Sequence, residues 1–275
     1  MTADDYVYVR ALVERHTGIV LEADKAYLIE ARLGTLARRQ GLPSLEALVS
    51  QLRQSPGDAR QPLVLEALTT QETSFFRDGH PFEALRQTIL PALLASRETT
   101  RRLVIWCGAA STGQEPYSVA MLLREHFPQL AGWQVRIIAT DFSEAALSRA
   151  RAGHFNPTEA GRGLDERLRA RHFHAAADGW RIREELRRMV EFRRLNLIEP
   201  WADLPECDLV LLRNVLIYLG TDTKKSILRR IHGQLRPDGF LLLGAAETTM
   251  NLEAAFAVTH LERTTCYRPG PPPSA

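Results

Sequence analysis

The feature that most constrains the fold is the run from Cys107 to Ser118, which is rich in small residues and contains two glycines. It follows a short apolar segment with β propensity, residues 102–106, and precedes a segment with helical apolar spacing, residues 117–126. A strand, a small-residue turn and a helix in this order are typical of the first unit of a doubly wound nucleotide-binding sheet. We therefore expect an α/β domain whose backbone approaches a ligand at this turn.

The turn lacks the residues that bind phosphate. Gly108 and Gly113 have the spacing of a phosphate-binding loop, but Gln114 and Glu115 follow where Lys and Ser or Thr would stand. A carboxylate here favours a positively charged ligand over ATP, GTP or NAD, and S-adenosylmethionine (SAM) carries a sulfonium and an α-ammonium. The alternative is that Glu115 only interacts with the helix dipole, an effect of about 0.3–1 kcal/mol.

Asp141 is the second candidate ligand residue. It follows an apolar segment, residues 134–140, which we predict to be a strand with Asp141 at its carboxyl end. An acid at this place in nucleotide-binding sheets accepts hydrogen bonds from ribose hydroxyls. The alternative is a structural role, as the N-cap of a helix predicted over residues 143–152.

The composition excludes several classes of protein. Of 275 residues, 45% are hydrophobic and 25% charged, and the net charge is +2, as in ordinary globular proteins. The sequence shows neither an apolar run that could span a membrane nor a signal region, and its three scattered cysteines suit a reducing compartment, so we expect a cytoplasmic protein. His172 and His174, the one close histidine pair, lack a nearby cysteine, and we expect no metal.

Residues 1–80 are predicted to form an N-terminal helical domain, followed by a linker helix over residues 81–100. Apolar spacing and breakers predict four helices in the first of these, over residues 6–16, 24–40, 44–54 and 62–70, with Asp24 capping the second. The second helix has a basic outer side formed by Arg32, Arg38 and Arg39. This side is either a solvated helix face or a docking surface for an acidic partner.

The segment 69–78 has no regular period and is predicted to be a loop. Phe75 and Phe76 are explained by anchoring in a core. Arg77 has no such explanation and could hold a ligand carboxylate through two parallel hydrogen bonds.

From residue 101 to 268, strands and helices alternate, which indicates a mainly parallel sheet. The alternation is interrupted over residues 153–194, where short segments predict a small antiparallel β insertion, with strands at 173–174, 179–183 and 189–192. The insertion is rich in arginine, but aromatic residues for stacking on bases do not accompany them, so nucleic acid is not the expected partner.

The sheet is expected to resume after the insertion and to end in an antiparallel pair. The predicted strands lie at residues 194–197, 207–213, 240–245, 256–259 and 265–268, with a turn at 237–239. The Pro-rich tail, residues 269–275, is predicted to be disordered.

Four separated blocks of this chain resemble the CheR family of chemotaxis receptor methyltransferases: residues 69–78, 109–118, 139–141 and 213–218. The resemblance implies a SAM-dependent methyltransferase (Rossmann-like) doubly wound sheet with an N-terminal all-helical domain and a small antiparallel β subdomain. It implies methyl transfer from SAM to glutamate carboxylates of chemotaxis receptors, giving methyl esters for adaptation and S-adenosylhomocysteine as product.

The resemblance also assigns roles to individual residues. Gln71, Thr73 and Arg77 would contact the methionine end of SAM, and Glu115 and Asp141 its amino acid and ribose portions. The adenosine side would be lined by Asn196, Leu197, Arg213 and Asn214. Tyr218 would lie beside the transferred methyl, so that Arg77 and Tyr218 are the expected catalytic residues. The family usually has Asn where this chain has Gln71.

The implied partners are the cytoplasmic domain of chemoreceptors and, in part of the family, a receptor C-terminal peptide bound by the β subdomain as an added strand. The basic side of the second helix would then face the acidic methylation region, and a monomer without membrane insertion is expected. Two alternatives remain: a signalling adaptor that binds SAM or a receptor tail with little catalysis, and a methyltransferase with another substrate.

Overall fold

The computed structural model describes residues 1–55 and 57–270. From residue 271 onward the expected disordered tail lies outside the described residues, whereas Pro269 ends the last strand. Within the described residues, a helix long and apolar enough to cross a membrane is not found. The chain divides into two compact units, Met1–Thr70 with Tyr218–Thr223, and Gln71–Ile217 with Lys224–Ala275. The boundary expected near residue 80 stays a prediction.

The first unit is helical. Its helices are α1 (Ala3–Thr17), α2 (Ala26–Arg39), α3 (Leu45–Gln54) and α4 (Gln61–Leu68). Thr2 and Ser44 cap α1 and α3 through their hydroxyl oxygens, and Gly18 ends α1 in the left-handed conformation. Asp24 is not the N-cap of α2, because a 3₁₀ turn at Ala23–Lys25 comes first and places Lys25 at that position.

The second unit holds the ten strands found among the described residues. They are β1 (Arg102–Gly108), β2 (Gln134–Asp141), β3 (His154–Phe155), β4 (Phe173–Ala176), β5 (Gly179–Ile182), β6 (Val190–Arg194), β7 (Cys207–Leu212), β8 (Leu235–Leu243), β9 (Phe256–Leu261) and β10 (Thr264–Pro269). The remaining helices are α5 (His80–Ala84), α6 (Leu90–Ser96), α7 (Gln114–His126), α8 (Glu144–Ala152), α9 (Pro157–Gly161), α10 (Glu166–His172), α11 (Glu184–Arg187) and α12 (Thr221–Gln234). A π-helical turn, Leu85–Ile89, joins α5 to α6.

Seven strands form one sheet in the order β6-β2-β1-β7-β8-β10-β9. The first five are parallel, and β10 pairs antiparallel with both β8 and β9. β7 is buried along its whole length, as expected of a parallel strand covered on both faces. The doubly wound fold and its closing antiparallel pair are thus confirmed.

Two strands differ from the prediction around the insertion. β6 was expected to be an antiparallel strand of the insertion, but it pairs parallel to β2 at the edge of the large sheet. An edge strand is half exposed, and its alternating pattern therefore resembles that of a hairpin strand. Residues 195–197 consequently form a loop and not a resumed strand. The third strand of the small sheet is β3, whose two residues are too few to show a period.

The predicted turn at residues 237–239 lies inside β8. The pairing of β8 with β7 shifts register between Cys207, which faces Leu235, and Leu209, which faces Phe240. The extra residues of β8, Pro237 among them, bulge out of the ladder. A bulge accommodates a proline that an unbroken ladder would exclude.

The small sheet, β3-β5-β4, holds the loop that precedes α5. Phe75 is fully buried and packs edge-on against Phe155 and Phe173, with ring centroids 4.9 and 5.6 Å away. A Cβ on Gly163 would lie 1.8 Å from the carbonyl oxygen of Phe75, so this close approach requires glycine. The core-anchoring interpretation of Phe75 is confirmed.

Candidate functional site at the carboxyl edge of the sheet

The carboxyl ends of β6, β2, β1 and β7 meet at one edge of the sheet, because these four neighbours are parallel. In the sheet, β2 lies on one side of β1, and β7 lies on the other side of β1. The sheet therefore has its topological switch point between β1 and β7, the place where open α/β sheets bind ligands.

The turn from β1 to α7 has an unusual backbone. Ala109 and Ser111 adopt positive φ values of 52° and 51°, and Gly113 a φ of 95°. Non-glycine residues in this region cost of order 1–3 kcal/mol each and cluster at ligand sites. A Cβ on Gly113 would lie 2.9 Å from the Cβ of Ala150, so helix α8 packs directly against the turn.

We expect Gly113→Ala to lower the free energy of unfolding by about 1–3 kcal/mol, because the added methyl group meets Ala150 and the φ is unfavourable. Gly233→Ala in α12 is the matched control. Its Cβ meets nothing within 4 Å, and the change should stabilise by about 0.5–1 kcal/mol. Urea unfolding measures both, and equal effects of the two variants would contradict the packing assigned to Gly113.

Asp141 ends β2 and holds two segments through its buried carboxylate. Oδ2 accepts a hydrogen bond from the backbone N–H of Ser111, 2.8 Å, and Oδ1 from that of Ser143, 2.9 Å. The side chain of Ser143, and not that of Asp141, caps α8. Asp141 thus stands at the carboxyl end of its strand, the place from which an acid accepts from ribose hydroxyls in nucleotide-binding sheets.

Glu115 lies in the first turn of α7 and is part of an ion-pair network. Its Oε2 accepts from Nη1 of Arg213, 2.8 Å, and Nη2 of Arg213 donates to Oδ2 of Asp78, 2.7 Å. The Arg213 side chain is 1% exposed. Burial raises the pKa of Glu115, while the positive charges of Arg213 and Arg77 act in the opposite direction.

Arg77 lies between Phe76 and Asp78, which both have positive φ. Nη2 of Arg213 donates to the carbonyl oxygen of Arg77, 3.0 Å, and so fixes its backbone. The Arg77 guanidinium donates to the carbonyl oxygen of Glu72, 3.2 Å. Arg77 is thus anchored by its main chain, and its charged group is only partly buried.

The loop after β6 lies next to Asp141. The N–H of Leu195 donates to the carbonyl oxygen of Asp141, 3.0 Å, and Asn196 follows directly. The Asn196 amide donates to Glu199, 3.0 Å, and the carbonyl oxygen of Leu197 accepts from Arg230, 2.7 Å. A cleft of about 340 Å³ opens here, lined by Asn196 and other residues of the range 193–204 and by Thr140.

Several buried polar atoms at this edge have no hydrogen-bond partner in the described part of the chain, among them Oγ of Ser111, after β1, and Nε of Arg213 and Oδ1 of Asn214, after β7. Unpaired buried polar atoms are rare and call for a partner. Ser111 and Asn214 follow the two strands that flank the switch point, and the acids Glu115 and Asp141 lie after and against the turn that holds Ser111. This set fits a ligand with hydroxyl, amine and sulfonium groups, as SAM has.

Three expected site residues, Gln71, Thr73 and Tyr218, lie outside the sheet and the α-helices. Gln71 and Thr73 lie on the irregular segment before Arg77, and their contact with a ligand stays a prediction. Tyr218 ends a 3₁₀ turn, Leu216–Tyr218, and its side chain is 37% exposed.

The three basic residues of α2 are not equivalent. Nη1 of Arg32 donates to the carbonyl oxygen of Thr69, 3.1 Å, which gives Arg32 a structural role in the helical unit. Arg38 and Arg39 are exposed in the last turn of α2. Of the expected docking residues, these two have the more accessible charges.

Two further acids of this site, Asp78 and Glu247, were not predicted from the sequence. Asp78 ends the segment predicted to be a loop, and its carboxylate pairs with Arg213. Glu247 lies beyond β8, and its carboxylate accepts hydrogen bonds from the loop after β7. A buried acid in an otherwise apolar stretch would have been the only local signal.

Comparisons with known proteins agree with this geometry. The family profile described as "CheR methyltransferase, all-alpha domain" matches residues 4–69, and that described as "CheR methyltransferase, SAM binding domain" matches residues 71–265. The chain belongs to the CheR methyltransferase family. It is 41% identical to chemotaxis protein methyltransferase 1 of Pseudomonas aeruginosa, over 96% of this chain and 97% of that protein. It is 38% identical to chemotaxis protein methyltransferase Cher2 of Pseudomonas putida, over 90% and 91%.

Membership of the CheR family confirms the resemblance seen in the four sequence blocks, and with it the Rossmann-like methyltransferase fold and the helical N-terminal unit. The chain is a SAM-dependent methyltransferase of chemotaxis. The profile that matches residues 71–265 is that of a SAM-binding domain. SAM is also the ligand that the residues at the carboxyl edge of the sheet fit.

Proposed function

We propose that this CheR methyltransferase transfers the methyl group of SAM to glutamate carboxylates in the cytoplasmic domain of chemoreceptors, giving methyl esters. The observation that carries the proposal is that two buried acids, Glu115 and Asp141, meet at a turn that lacks phosphate-binding residues: Glu115 follows the turn in α7, and Asp141 accepts from the N–H of Ser111 within it. The relatives are named chemotaxis protein methyltransferases, and receptors are the methylated proteins that such a name implies.

The residues have distinct tasks in this proposal. Glu115 attracts the α-ammonium of SAM, Asp141 accepts from the ribose hydroxyls, and Arg77 binds the methionine carboxylate, with Gln71 and Thr73 beside it. Asn196, Leu197, Arg213 and Asn214 form the adenosine side, where Arg213 acts by holding Glu115 and the backbone of Arg77. SAM supplies an electrophilic methyl group and leaves as S-adenosylhomocysteine, without a metal.

The acceptor needs no general base. A glutamate with an ordinary pKa of about 4.3 is already anionic at neutral pH. Tyr218 orients this carboxylate, and the enzyme excludes water and aligns the reacting atoms. Such positioning can supply about 7–11 kcal/mol of the barrier.

Receptor binding would use two surfaces. Arg38 and Arg39 face the acidic methylation region of the receptor. An edge of the small sheet, with the exposed His174 and Ala175 of β4, can accept a receptor C-terminal peptide as an added strand. Tethering by such a peptide raises the effective concentration of the methylation region.

The raised pKa of Glu115 gives a pH prediction. The ionised carboxylate binds the α-ammonium, so the affinity for SAM falls as the pH is lowered toward that pKa and Glu115 takes up a proton. We expect the Kd to rise between pH 8 and pH 5 in the wild type, and Glu115→Gln to bind weakly with a flat profile. Glu72→Gln, an exposed acid paired with Arg162, is the control with a wild-type profile. Parallel profiles for wild type and Glu115→Gln would contradict the role of Glu115.

The experiment that tests the function is transfer of tritiated methyl from SAM to purified receptor cytoplasmic fragments, with and without their terminal peptide. We expect label that alkali releases as methanol, because esters are base-labile and N-methyl groups are not. Base-stable label, or label only on RNA or small molecules, would support a methyltransferase with another substrate. Receptor binding without label would support the adaptor.

A further inference from the structure

The carboxylate of Glu247 is buried and accepts four backbone hydrogen bonds. Oε2 accepts from the N–H groups of Gly244, 2.6 Å, and Asn214, 2.7 Å, and Oε1 from those of Val215, 2.7 Å, and Ile217, 3.3 Å. We call these five residues the Glu247 clasp. It joins the end of β8 to the loop that follows β7.

The clasp explains why an acid is needed at this position. Asn214 has a positive φ of 59°, so the backbone turns sharply as it leaves β7 and directs several N–H groups to one side. Buried N–H groups must find acceptors. A carboxylate has about four lone-pair sites and no donor, which matches four converging N–H groups.

The surroundings of Gly244 show independently that the Glu247 carboxylate occupies the space where a side chain at position 244 would lie. A Cβ on Gly244 would lie 2.7 Å from Oε2 of Glu247 and 2.7 Å from Nδ2 of Asn214. The residue that follows β8 therefore has to be glycine for Glu247 to reach the loop.

We propose that Glu247 is a positioning residue for methyl transfer. The clasp fixes the main chain of Asn214, whose buried Oδ1 has no partner in the described part of the chain and stands free to bind SAM. It also fixes Ile217, which is bonded directly to Tyr218 in the chain. This inference rests on the roles proposed above for Asn214 and Tyr218, through which Glu247 acts.

Glu247→Gln is the test variant. Glutamine keeps one acceptor oxygen for one pair of N–H groups and turns an NH₂ donor toward the other pair, so the loop must shift. A displacement of about 1 Å can reduce a rate by about 10²-fold. We expect kcat on receptor fragments to fall about 10–100-fold with KM for the fragments changed less than about threefold, and the calorimetric Kd for SAM to rise about tenfold.

Asp208→Asn is the matched control, since Asp208 is a buried acid at the opposite end of β7. It accepts from the backbone N–H of Val104, 2.7 Å, and pairs with Arg97, 2.7 Å. Asp208→Asn should lower stability yet keep the kcat and SAM affinity of the folded enzyme. Gly244→Ala retains Glu247 but displaces it, and it should reproduce the losses of Glu247→Gln.

The proposal is overturned if Glu247→Gln and Gly244→Ala keep kcat and SAM affinity within about twofold of Asp208→Asn. Should Glu247→Gln fail to fold, Gly244→Ala alone tests the proposal, with the same twofold limits on kcat and SAM affinity. A wild-type protein that binds SAM but labels no receptor would refute the proposed function only. In that case the SAM affinities of the variants would still test whether the Glu247 clasp positions Asn214.

Discussion

Arg213→Met is expected to lower the free energy of unfolding by about 3–5 kcal/mol. The guanidinium of Arg213 lies between Glu115 and Asp78 and is almost completely buried. Its removal leaves the buried Glu115 carboxylate without the counter-charge that opposes the burial effect on its pKa. Urea unfolding at pH 7 measures the loss.

The loss should shrink as the pH falls, because Glu115 in the variant can take up a proton and so remove the buried charge. The double variant Arg213→Met/Glu115→Gln should recover part of the stability for the same reason. Arg162→Ala is the control: Arg162 pairs with Glu72 at the surface, with side chains 58% and 59% exposed, and its loss should cost less than about 1 kcal/mol. A loss for Arg213→Met no larger than that of Arg162→Ala would disprove the buried network.

Arg77→Ala is expected to lower kcat/KM by about 10²–10³-fold, since it removes the cation proposed to bind the methionine carboxylate of SAM. Truncating one member of a hydrogen-bonded charge pair that becomes buried on ligand binding costs about 2–5 kcal/mol. Its stability should change little, because the Arg77 side chain makes an exposed bond to the carbonyl oxygen of Glu72. Arg77 and Arg213 are joined by one hydrogen bond, yet their substitutions should have different effects. Loss of Arg213 should mainly lower stability, and loss of Arg77 should mainly lower kcat/KM.

Arg77→Lys keeps the charge but not the planar fork, and should fall between wild type and Arg77→Ala. Arg162→Ala serves again as control, because Arg162 contacts the same residue, Glu72, through its side chain. Steady-state methyl transfer to receptor fragments gives the values. Normal kcat/KM in Arg77→Ala would remove Arg77 from the site.

The parts of the fold predicted from sequence are those with a local signature. The turn from β1 to α7 and the acid at the end of β2 are each written in consecutive residues, and their neighbours in the sheet then follow from right-handed parallel topology. β6 was misassigned because a half-exposed strand shows the same alternation whether its partner is parallel or antiparallel. The identity of that partner is not a local property.

The site likewise contains residues that have a local signature in the sequence and residues that have none. Glu115 and Asp141 were predicted from their places after strands, and their roles stay proposals. The ion pair of Glu115 with Arg213 joins residues 98 positions apart, and nothing near either one indicates it. Glu247 could not be found by pairing side chains, because all four of its partners are backbone N–H groups, three of them about 30 residues earlier.

Titration calorimetry of the purified protein with SAM and S-adenosylhomocysteine measures whether Glu115, in the first turn of α7, and Asp141, at the end of β2, form a donor site. We expect one site for each compound in the wild type and a large loss of SAM affinity in both Glu115→Gln and Asp141→Ala. Heat of binding for neither compound, or wild-type affinity in both variants, would contradict this assignment.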